Sequence, residues 1–168
     1  MKLGFIGTGN ISSDVIAGIC NSKISFSRIL VSPRNKQKAQ KLKKKFKKVH
    51  IAKTNQEVID KSDWIFLGIL PEVGEKILPK LNFRAKQTIV SFISTISYAQ
   101  LKKIIKKKVK IVRAIQMPPI SLGKGPVPIF PPAKQVKTFF DKIGPTIEIT
   151  SEKLTKNVCA IAGSVASV

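Results

Sequence analysis

The segment at residues 7–12 (Gly-Thr-Gly-Asn-Ile-Ser) constrains the fold of this chain more than any other, because of what stands on either side of it. It follows an apolar run at residues 2–6, which predicts a buried strand. It leads into residues 11–21, whose apolar positions recur at helical spacing. A glycine pattern between a strand and a helix is typical of a phosphate-binding turn, and the alternative is a tight turn that binds no ligand.

Each position of this turn has a distinct expected role. Gly7 permits the tight turn, and Gly9 lacks a side chain, so the backbone can approach a pyrophosphate. Ser12 is small enough at the third position for the helix to pack closely on its strand. The helix N-terminus offers free N–H groups and a partial positive charge. We therefore expect Gly7, Gly9, Asn10 and Ile11 to hold the pyrophosphate of a dinucleotide.

Strands and helices alternate along the chain at short intervals. Apolar runs predict strands at residues 2–6, 28–32, 49–52, 64–70, 87–94, 110–115, 127–130 and 146–149. Helical spacing predicts helices at residues 11–21, 35–47, 55–61, 73–81, 98–106, 134–143 and from 151 onward, with Asn55, Ser97 and Ser151 as candidate caps. Several strands are apolar on both faces, which indicates parallel strands covered by helices. The expected fold class is α/β: a doubly wound, mostly parallel, Rossmann-like sheet followed by the start of a C-terminal helix.

The expected domain organisation has one boundary near residue 150. Residues 1–150 form the dinucleotide-binding domain, including a stretch at 117–132 with six prolines and two glycines that predicts an irregular loop. Residues 151–168 then read as the first helix of a truncated helical domain. The sequence leaves open whether 168 residues is the natural length.

The end of the second predicted strand indicates which dinucleotide is bound. An acidic residue at this place selects NAD, whereas an arginine suits the 2′-phosphate of NADP. The chain reads Ser32-Pro33-Arg34-Asn35, without an acid, and Lys36 and Lys38 follow. We expect Ser32, Arg34 and Asn35 to read the 2′-phosphate, so NADP is the predicted cofactor and NAD the alternative. The alternative is that residues 32–35 are part of a surface loop of a lysine-rich protein and bind no ligand.

The net charge of +22 has two interpretations. A strongly basic protein can bind nucleic acid or an anionic surface. Only 4 of the 31 cations are arginine, however, and arginine makes the bidentate contacts on which nucleic-acid binders depend. We therefore expect solvated lysines on helix faces that attract an anionic substrate or cofactor, and not nucleic-acid binding as the main function.

The sequence contains no apolar run of the roughly 18 residues needed to span a bilayer, and glycines interrupt the N-terminus too early for a signal-peptide core. We expect a cytoplasmic protein with reduced thiols and no membrane partner. Cys20 and Cys159 lie far apart in sequence, so they predict neither a disulfide-dense scaffold nor a metal-binding pair.

Four segments, taken in order, resemble the pyrroline-5-carboxylate reductase family. They are residues 5–11 (Phe-Ile-Gly-Thr-Gly-Asn-Ile), 31–35 (Val-Ser-Pro-Arg-Asn), 65–71 (Ile-Phe-Leu-Gly-Ile-Leu-Pro) and 123–125 (Gly-Lys-Gly), and the tail at 162–164 resembles the start of the family's second, helical domain. The resemblance implies NAD(P)H-dependent reduction of a cyclic imine, 1-pyrroline-5-carboxylate, to proline. It also implies that the missing helical domain would form the dimer and much of the imine pocket, so a homo-oligomer is expected only if that domain is present.

Further cofactor contacts follow from the resemblance, position by position. Asn55 resembles the family residue near the adenine ribose. Leu67, Gly68, Ile69 and Pro71 resemble the loop along the cofactor, of which we expect Leu67, Gly68 and Pro71 to line the path to the nicotinamide.

The chain also departs from the family pattern. Met117 stands where the family has an asparagine near the nicotinamide, Leu70 replaces the usual lysine before the proline, and Ser94-Thr95 replaces an Ala-Gly pair. Arg113 keeps the family's arginine before this stretch. These departures support a second hypothesis, a dinucleotide-binding module without catalysis of its own: a redox sensor, or a half-enzyme that needs a partner chain.

No catalytic side chain can be assigned from the sequence. His50 is the single histidine and supports neither a catalytic triad nor a histidine-based metal site. Asp63 and Glu72 flank an apolar strand, but nothing in the sequence indicates that they lie close together. Hydride transfer does not require a protein acid–base pair, because the cofactor carries the chemistry. The predicted site is therefore a cofactor site without a metal.

Overall fold

The computed structural model describes residues 1–115, 120–155, 157 and 158. Within them it has eight strands: β1 (Lys2–Ile6), β2 (Arg28–Val31), β3 (Val49–Ile51), β4 (Trp64–Leu67), β5 (Thr88–Ser91), β6 (Lys110–Ala114), β7 (Val127–Phe130) and β8 (Thr146–Glu148). The helices are α1 (Asn10–Cys20), α2 (Lys36–Lys45), α3 (Asn55–Asp60), α4 (Pro71–Ile77), α5 (Tyr98–Ile105) and α6 (Lys134–Phe140), with 3₁₀ turns at Leu78–Lys80 and Ile120–Leu122. Every predicted strand is confirmed, with boundary differences of up to three residues.

The chain divides into two compact units, of which the first comprises Met1–Ser13 and Ser25–Ile111. Its complete strands run in the order β3-β2-β1-β4-β5, and it also contains the first two residues of β6. The pairs β1–β2, β1–β4, β2–β3 and β4–β5 are all parallel. This order, with helices between the strands, is that of a doubly wound dinucleotide-binding sheet, so the predicted fold class is confirmed.

The sheet of the first unit is buried because its strands carry apolar side chains on both faces. The strand residues Leu3, Phe5, Ile65 and Phe66 are fully buried. The Phe5 and Phe66 rings stack with their centroids 4.5 Å apart. A continuous apolar cluster runs from β1 and β4 to the buried faces of α3 and α5. Burial of this kind contributes about 25 cal/mol per Å² of apolar surface, and it holds the strand ends in place.

The second unit comprises Asp14–Ile24 and Val112–Val168. Its strands run in the order β6-β7-β8. β7 is antiparallel to β6 and parallel to β8, which accounts for the sheet being mostly rather than wholly parallel. The buried Arg113 on β6 donates from Nη1 to Glu152 Oε1 at 3.0 Å and to Thr155 Oγ1 at 3.1 Å. The segment that begins near residue 151 is thus tied to β6.

Two predictions about element starts need correction. Thr54, not Asn55, caps α3, because its side chain accepts from the Glu57 N–H at 3.1 Å and Asn55 is already the first helical residue. The helix predicted from residue 73 begins at Pro71, because proline at the first helical position has a suitable φ and lacks only an N–H that would be unpaired there. The predicted Ser97 cap is confirmed as a reciprocal capping box with Gln100.

The predicted C-terminal segment is described only in part. Residues 152–155, 157 and 158 are helical. Residue 156 and residues 159–168 of the predicted helix, which include Cys159 and the tail at 162–164, lie outside the described residues, as does Met117. The assignment of 151–168 to a second domain stays a prediction. Among the described residues, no helix combines the length and apolar character needed to cross a membrane.

Candidate functional site

Gly7 makes the turn at the end of β1 in a conformation that only glycine adopts readily. Its φ is +96°, and a Cβ built on it would lie 2.2 Å from the backbone oxygen of Gly68. Any side chain would therefore meet both an unfavourable φ and a neighbouring backbone. Gly7 is required by the protein's own packing, whether or not a ligand binds.

Gly9 is different, because its contacts with the described residues do not require a glycine there. A Cβ built on Gly9 would meet only the Gly68 oxygen, at 4.0 Å, and its φ is not in the left-handed region. The bare Cα faces a cleft that Gly9 helps to line. A glycine that the fold does not need, at the wall of a cleft, indicates space kept for a ligand to approach the backbone.

Helix α1 begins directly after Gly9, at Asn10. The Ser13 N–H donates to the Gly9 carbonyl at 3.0 Å, so Gly9 closes the first helical turn. The first turn of α1 contains no acidic residue, which leaves the positive end of its dipole uncompensated. Ser12 is fully buried, and a Cβ on Gly68 would lie 2.1 Å from its Oγ. This close packing is the role expected for a small residue at the third position.

Ser32 supports the glycine turn from β2. It is 2% exposed, and its Oγ accepts from the Gly7 N–H at 2.9 Å. The Ser32 N–H in turn donates to the Phe5 carbonyl at 2.9 Å, which continues the β1–β2 ladder past the end of β2. The hydroxyl thus positions the turn, a role that the sequence reasoning missed. Its predicted contact with a 2′-phosphate stays a prediction.

The carboxyl ends of β1, β2 and β4 border one cleft of about 450 Å³. Its wall consists of Gly7, Thr8, Gly9, Arg34, Asn35, Lys36, Gly68, Ile69, Leu70 and Val73. Among these lining residues, Arg34 and Lys36 are the ionisable ones, and none is a carboxylate. The structure therefore brings the predicted Gly7, Gly9, Arg34, Asn35 and Gly68 together around a space that favours an anion.

Helix α2 presents its N-terminus to this cleft. Asn35 caps it, with its Oδ1 accepting from the Lys38 N–H at 3.1 Å. The first turn of α2 contains no acidic residue. Arg34 and Asn35 are exposed, as a phosphate-binding pair must be. The loop after β2 thus combines a guanidinium, an ammonium and the positive end of a helix.

The opposite wall of the cleft is apolar. It runs from Gly68 through Ile69 and Leu70 to Val73, one turn into α4. Leu70, where the family pattern has a lysine, is 64% exposed and caps α4 without a side-chain hydrogen bond. An apolar wall facing a cationic one suits a ligand with a ring at one end and phosphates at the other.

Several predicted cofactor residues do not line the cleft. Asn10 and Ile11 are exposed on the first turn of α1, beside the lining residues. Leu67 is fully buried in the core, so any contact from it would come from its backbone. Pro71 is half-buried at the start of α4, and Asn55 is half-buried at the start of α3. Their assignments to the cofactor stay predictions.

Three lining residues, Thr8, Leu70 and Val73, were not among the predicted cofactor residues. Thr8 stands between the two glycines, so its place in the turn is itself the signal that could have identified it. Its Oγ1 is buried and has no hydrogen-bond partner among the described residues. Val73 follows Leu70 by three residues, the spacing that puts both on one helix face. The helical spacing of these residues in the sequence does not show that this face borders the cleft.

Other candidate residues lie away from the cleft wall or have structural partners. Asp63 Oδ2 accepts from the Lys2 N–H at 2.8 Å, which joins it to β1. Glu72 is exposed on the first turn of α4, and His50 is exposed on β3. Among the described residues, no group of three or more His, Cys, Asp or Glu side chains could hold a metal ion. The cleft is therefore the candidate functional site among the described residues.

The lining residues fit a dinucleotide phosphate. The bare Cα of Gly9 leaves room beside the N-terminus of α1. Thr8 Oγ1 has no hydrogen-bond partner among the described residues, and an unpaired buried hydroxyl costs about 1–3 kcal/mol. A phosphate oxygen bound in the cleft would accept a hydrogen bond from it and remove that cost. Arg34 and Lys36 supply two positive charges without a competing carboxylate in the wall.

Comparison with known proteins identifies a family and several relatives of this chain. The family described as NADP oxidoreductase coenzyme F420-dependent matches residues 2–95. Among curated proteins, pyrroline-5-carboxylate reductase 3 of Danio rerio is 29% identical over 128 residues, covering 74% of this chain and 44% of that protein. Pyrroline-5-carboxylate reductase of Escherichia coli is 25% identical over 173 residues, covering 97% of this chain and 64% of that protein. The chain thus spans less than two thirds of the length of these relatives.

Solved structures show the same fold. The 1-pyrroline-5-carboxylate reductase of Streptococcus pyogenes has a TM-score of 0.82 and 27% identity, over 99% of this chain and 64% of that one. The pyrroline carboxylate reductase of Plasmodium falciparum, solved with NADP bound, has a TM-score of 0.84 and 22% identity over the same shares. The chain belongs to the family described as NADP oxidoreductase coenzyme F420-dependent, and its predicted resemblance to the pyrroline-5-carboxylate reductases is confirmed.

Proposed function

We propose that this chain binds NADP and serves the reduction of a cyclic imine C=N bond, with 1-pyrroline-5-carboxylate as substrate and proline as product. The observation that carries the proposal is one cleft with two features. The glycine turn at the N-terminus of α1 and the Arg34 loop after β2 line the same space. A pyrophosphate subsite and a 2′-phosphate subsite would then be within reach of one dinucleotide.

The residues of the cationic wall would bind and orient the nucleotide. Gly9 and the N–H groups of the first turn of α1 would receive the pyrophosphate, and Arg34 would form a bidentate pair with the 2′-phosphate. Lys36, at the first position of α2, adds a second positive charge. Ser32 holds the turn in place through Gly7. The proposed site favours NADP over NAD, because NAD lacks the 2′-phosphate with which Arg34 would pair.

The apolar wall would exclude water from the reacting end of the cofactor. When bound, the reduced nicotinamide would supply a hydride to the carbon of the protonated imine, which gives the neutral amine and the oxidised cofactor. Ile69, Leu70 and Val73 would present an apolar surface to a ring on their side of the cleft. We assign no catalytic side chain among the described residues. We extend the proposal to a homo-oligomer only where a helical domain follows residue 151.

The proposal is tested first by binding. Titration with NADPH and NADH, followed by fluorescence, should give tighter binding of NADPH. Arg34→Gln should abolish most of that preference, because a charged hydrogen bond to a phosphate contributes about 1.5–3 kcal/mol. Lys43→Gln, an exposed lysine on α2 outside the cleft wall, is the matched control for the loss of one charge. Equal loss of NADPH and NADH binding in Arg34→Gln would contradict the 2′-phosphate role.

Turnover is tested second, by NADPH oxidation in the presence of 1-pyrroline-5-carboxylate. Turnover that depends on Arg34 supports the reductase activity. Tight NADPH binding without turnover favours the alternative, a dinucleotide-binding module that acts as a redox sensor or needs a partner chain. Affinity for duplex DNA that falls steeply with salt and does not respond to NADPH would indicate nucleic-acid binding instead.

A further inference from the structure

Lys38 joins the two helix N-termini of the site. It lies in the first turn of α2, where its backbone N–H donates to Oδ1 of the cap residue Asn35. Its side-chain Nζ donates to Asn10 Oδ1 at 2.5 Å. Asn10 is the first residue of α1. One lysine therefore connects the loop predicted to read the 2′-phosphate with the turn predicted to hold the pyrophosphate.

The charge of Lys38 is poorly placed for the stability of the protein alone. A cation near the N-terminus of a helix opposes the helix dipole. The first turns of α1 and α2 both lack acidic residues. None of the salt bridges between described residues includes Lys38, and its acceptor on α1 is a neutral amide. A bound anion at these helix ends would turn an unfavourable charge into a favourable one.

We propose that Lys38 is a positioning residue for the dinucleotide: it fixes the side chain of Asn10 at the N-terminus of α1 and brings a positive charge to the pyrophosphate side of the cleft. This inference rests on the proposed function. It differs from the role of Arg34, because the pyrophosphate is common to NADPH and NADH. Loss of Lys38 should therefore weaken both nucleotides alike, whereas loss of Arg34 should weaken NADPH selectively.

The test compares K38M, which keeps an unbranched apolar side chain, with K41M, an exposed lysine on the same helix. Kd for NADPH and NADH is measured for both variants and for the unsubstituted chain. K38M should raise Kd about three- to tenfold for both nucleotides and leave their ratio unchanged, since one partly solvated charge and one hydrogen bond are lost. K38R should recover most of the affinity, and K41M should bind as the unsubstituted chain does.

A double-mutant cycle tests whether Lys38 acts through Asn10. If it does, N10A/K38M should bind no more weakly than K38M alone, because the second substitution removes an interaction already lost. The thermal midpoint of K38M should be no lower than that of K41M, because the Lys38 charge opposes the dipole of α2, and this result separates positioning from a general loss of stability. Multiplying losses in the double variant would mean that the two residues act independently and would overturn the inference.

The remaining outcomes separate this inference from the proposed function. If the unsubstituted chain binds neither nucleotide, the proposed function and this inference both fail. If it binds NADPH but K38M binds equally well, only the inference fails. If K38M weakens NADPH alone, Lys38 reads the 2′-phosphate directly, and positioning at the pyrophosphate is overturned while the proposed function stands.

Discussion

The two glycines of the turn between β1 and α1, Gly7 and Gly9, should respond in opposite ways to the same substitution. Gly7→Ala introduces a Cβ at φ +96° and 2.2 Å from the Gly68 oxygen, so both the backbone conformation and the packing oppose it. The left-handed conformation costs about 1–2 kcal/mol and overpacking about 1–3 kcal/mol. Together these give a loss of about 2–5 kcal/mol in the free energy of unfolding. For a chain of this size, that lowers Tm by roughly 4–20 °C.

Gly9→Ala should leave stability within about 0.5 kcal/mol of the unsubstituted chain, as for a surface substitution that makes no new close contact. Among the described residues, the new methyl would meet only the Gly68 oxygen, at 4.0 Å. It would, however, occupy the space in which a pyrophosphate approaches the backbone. We expect NADPH to bind Gly9→Ala at least about tenfold more weakly, which corresponds to about 1.4 kcal/mol.

The assays are thermal unfolding followed by circular dichroism and titration with NADPH followed by fluorescence. Gly7→Ala should lose Tm, and Gly9→Ala should lose affinity at unchanged Tm. If Gly9→Ala binds NADPH normally, the space at Gly9 is not a phosphate subsite. If instead Gly9→Ala unfolds as early as Gly7→Ala, the distinction between a glycine required by packing and one required by a ligand is wrong.

Three further predictions concern other parts of the structure. Ser32→Ala leaves the Gly7 N–H without its acceptor and should cost about 1–3 kcal/mol in urea unfolding, whereas an unchanged midpoint would mean that the hydroxyl does not support the turn. Arg113→Met removes the ion pair that ties β6 to the segment beginning near residue 151, so amide hydrogen exchange at residues 152–155 should speed up, and unchanged rates would contradict that tie. The hydrogen bond from Lys137 lowers the pKa of Asp141, so this carboxylate stabilises the fold above its unfolded-state pKa and the stabilisation is lost as pH falls through the lowered value, below about pH 4. The stability advantage over Asp141→Asn should therefore shrink in acid, and an advantage that grows there would reverse the sign.

Features that depend on neighbouring residues were predictable from the sequence. The apolar runs at β1 and β4 and the helical spacing in α1 each lie within one short segment, so their pattern identifies the element. The glycine turn is equally local, because the strand, the two glycines and the helix follow one another without interruption. For the same reason, the parallel fold class and the resemblance to a reductase family could be inferred before any distance was known.

Features that depend on residues far apart in sequence required the tertiary structure. Ser32 could be predicted at the end of the second strand, but only the parallel pairing of β1 with β2 brings its hydroxyl within hydrogen-bond distance of the Gly7 N–H. The misassigned Asn55 cap has a smaller cause, since Thr54 and Asn55 are both good caps and the backbone at Thr54 decides between them.

The sequence alone therefore determined that this chain has a strand–turn–helix unit suited to a phosphate and a basic loop after its second strand. The tertiary structure decided that both belong to one cleft. The β1–β2 and β1–β4 ladders align the carboxyl ends of three strands, and this alignment brings Gly9, Arg34 and Gly68 to one edge of the sheet. The same alignment lets Lys38 reach Asn10. The pairing of strands brings the glycine turn and the basic loop together in one site, and the periodicity of a single segment does not encode that pairing.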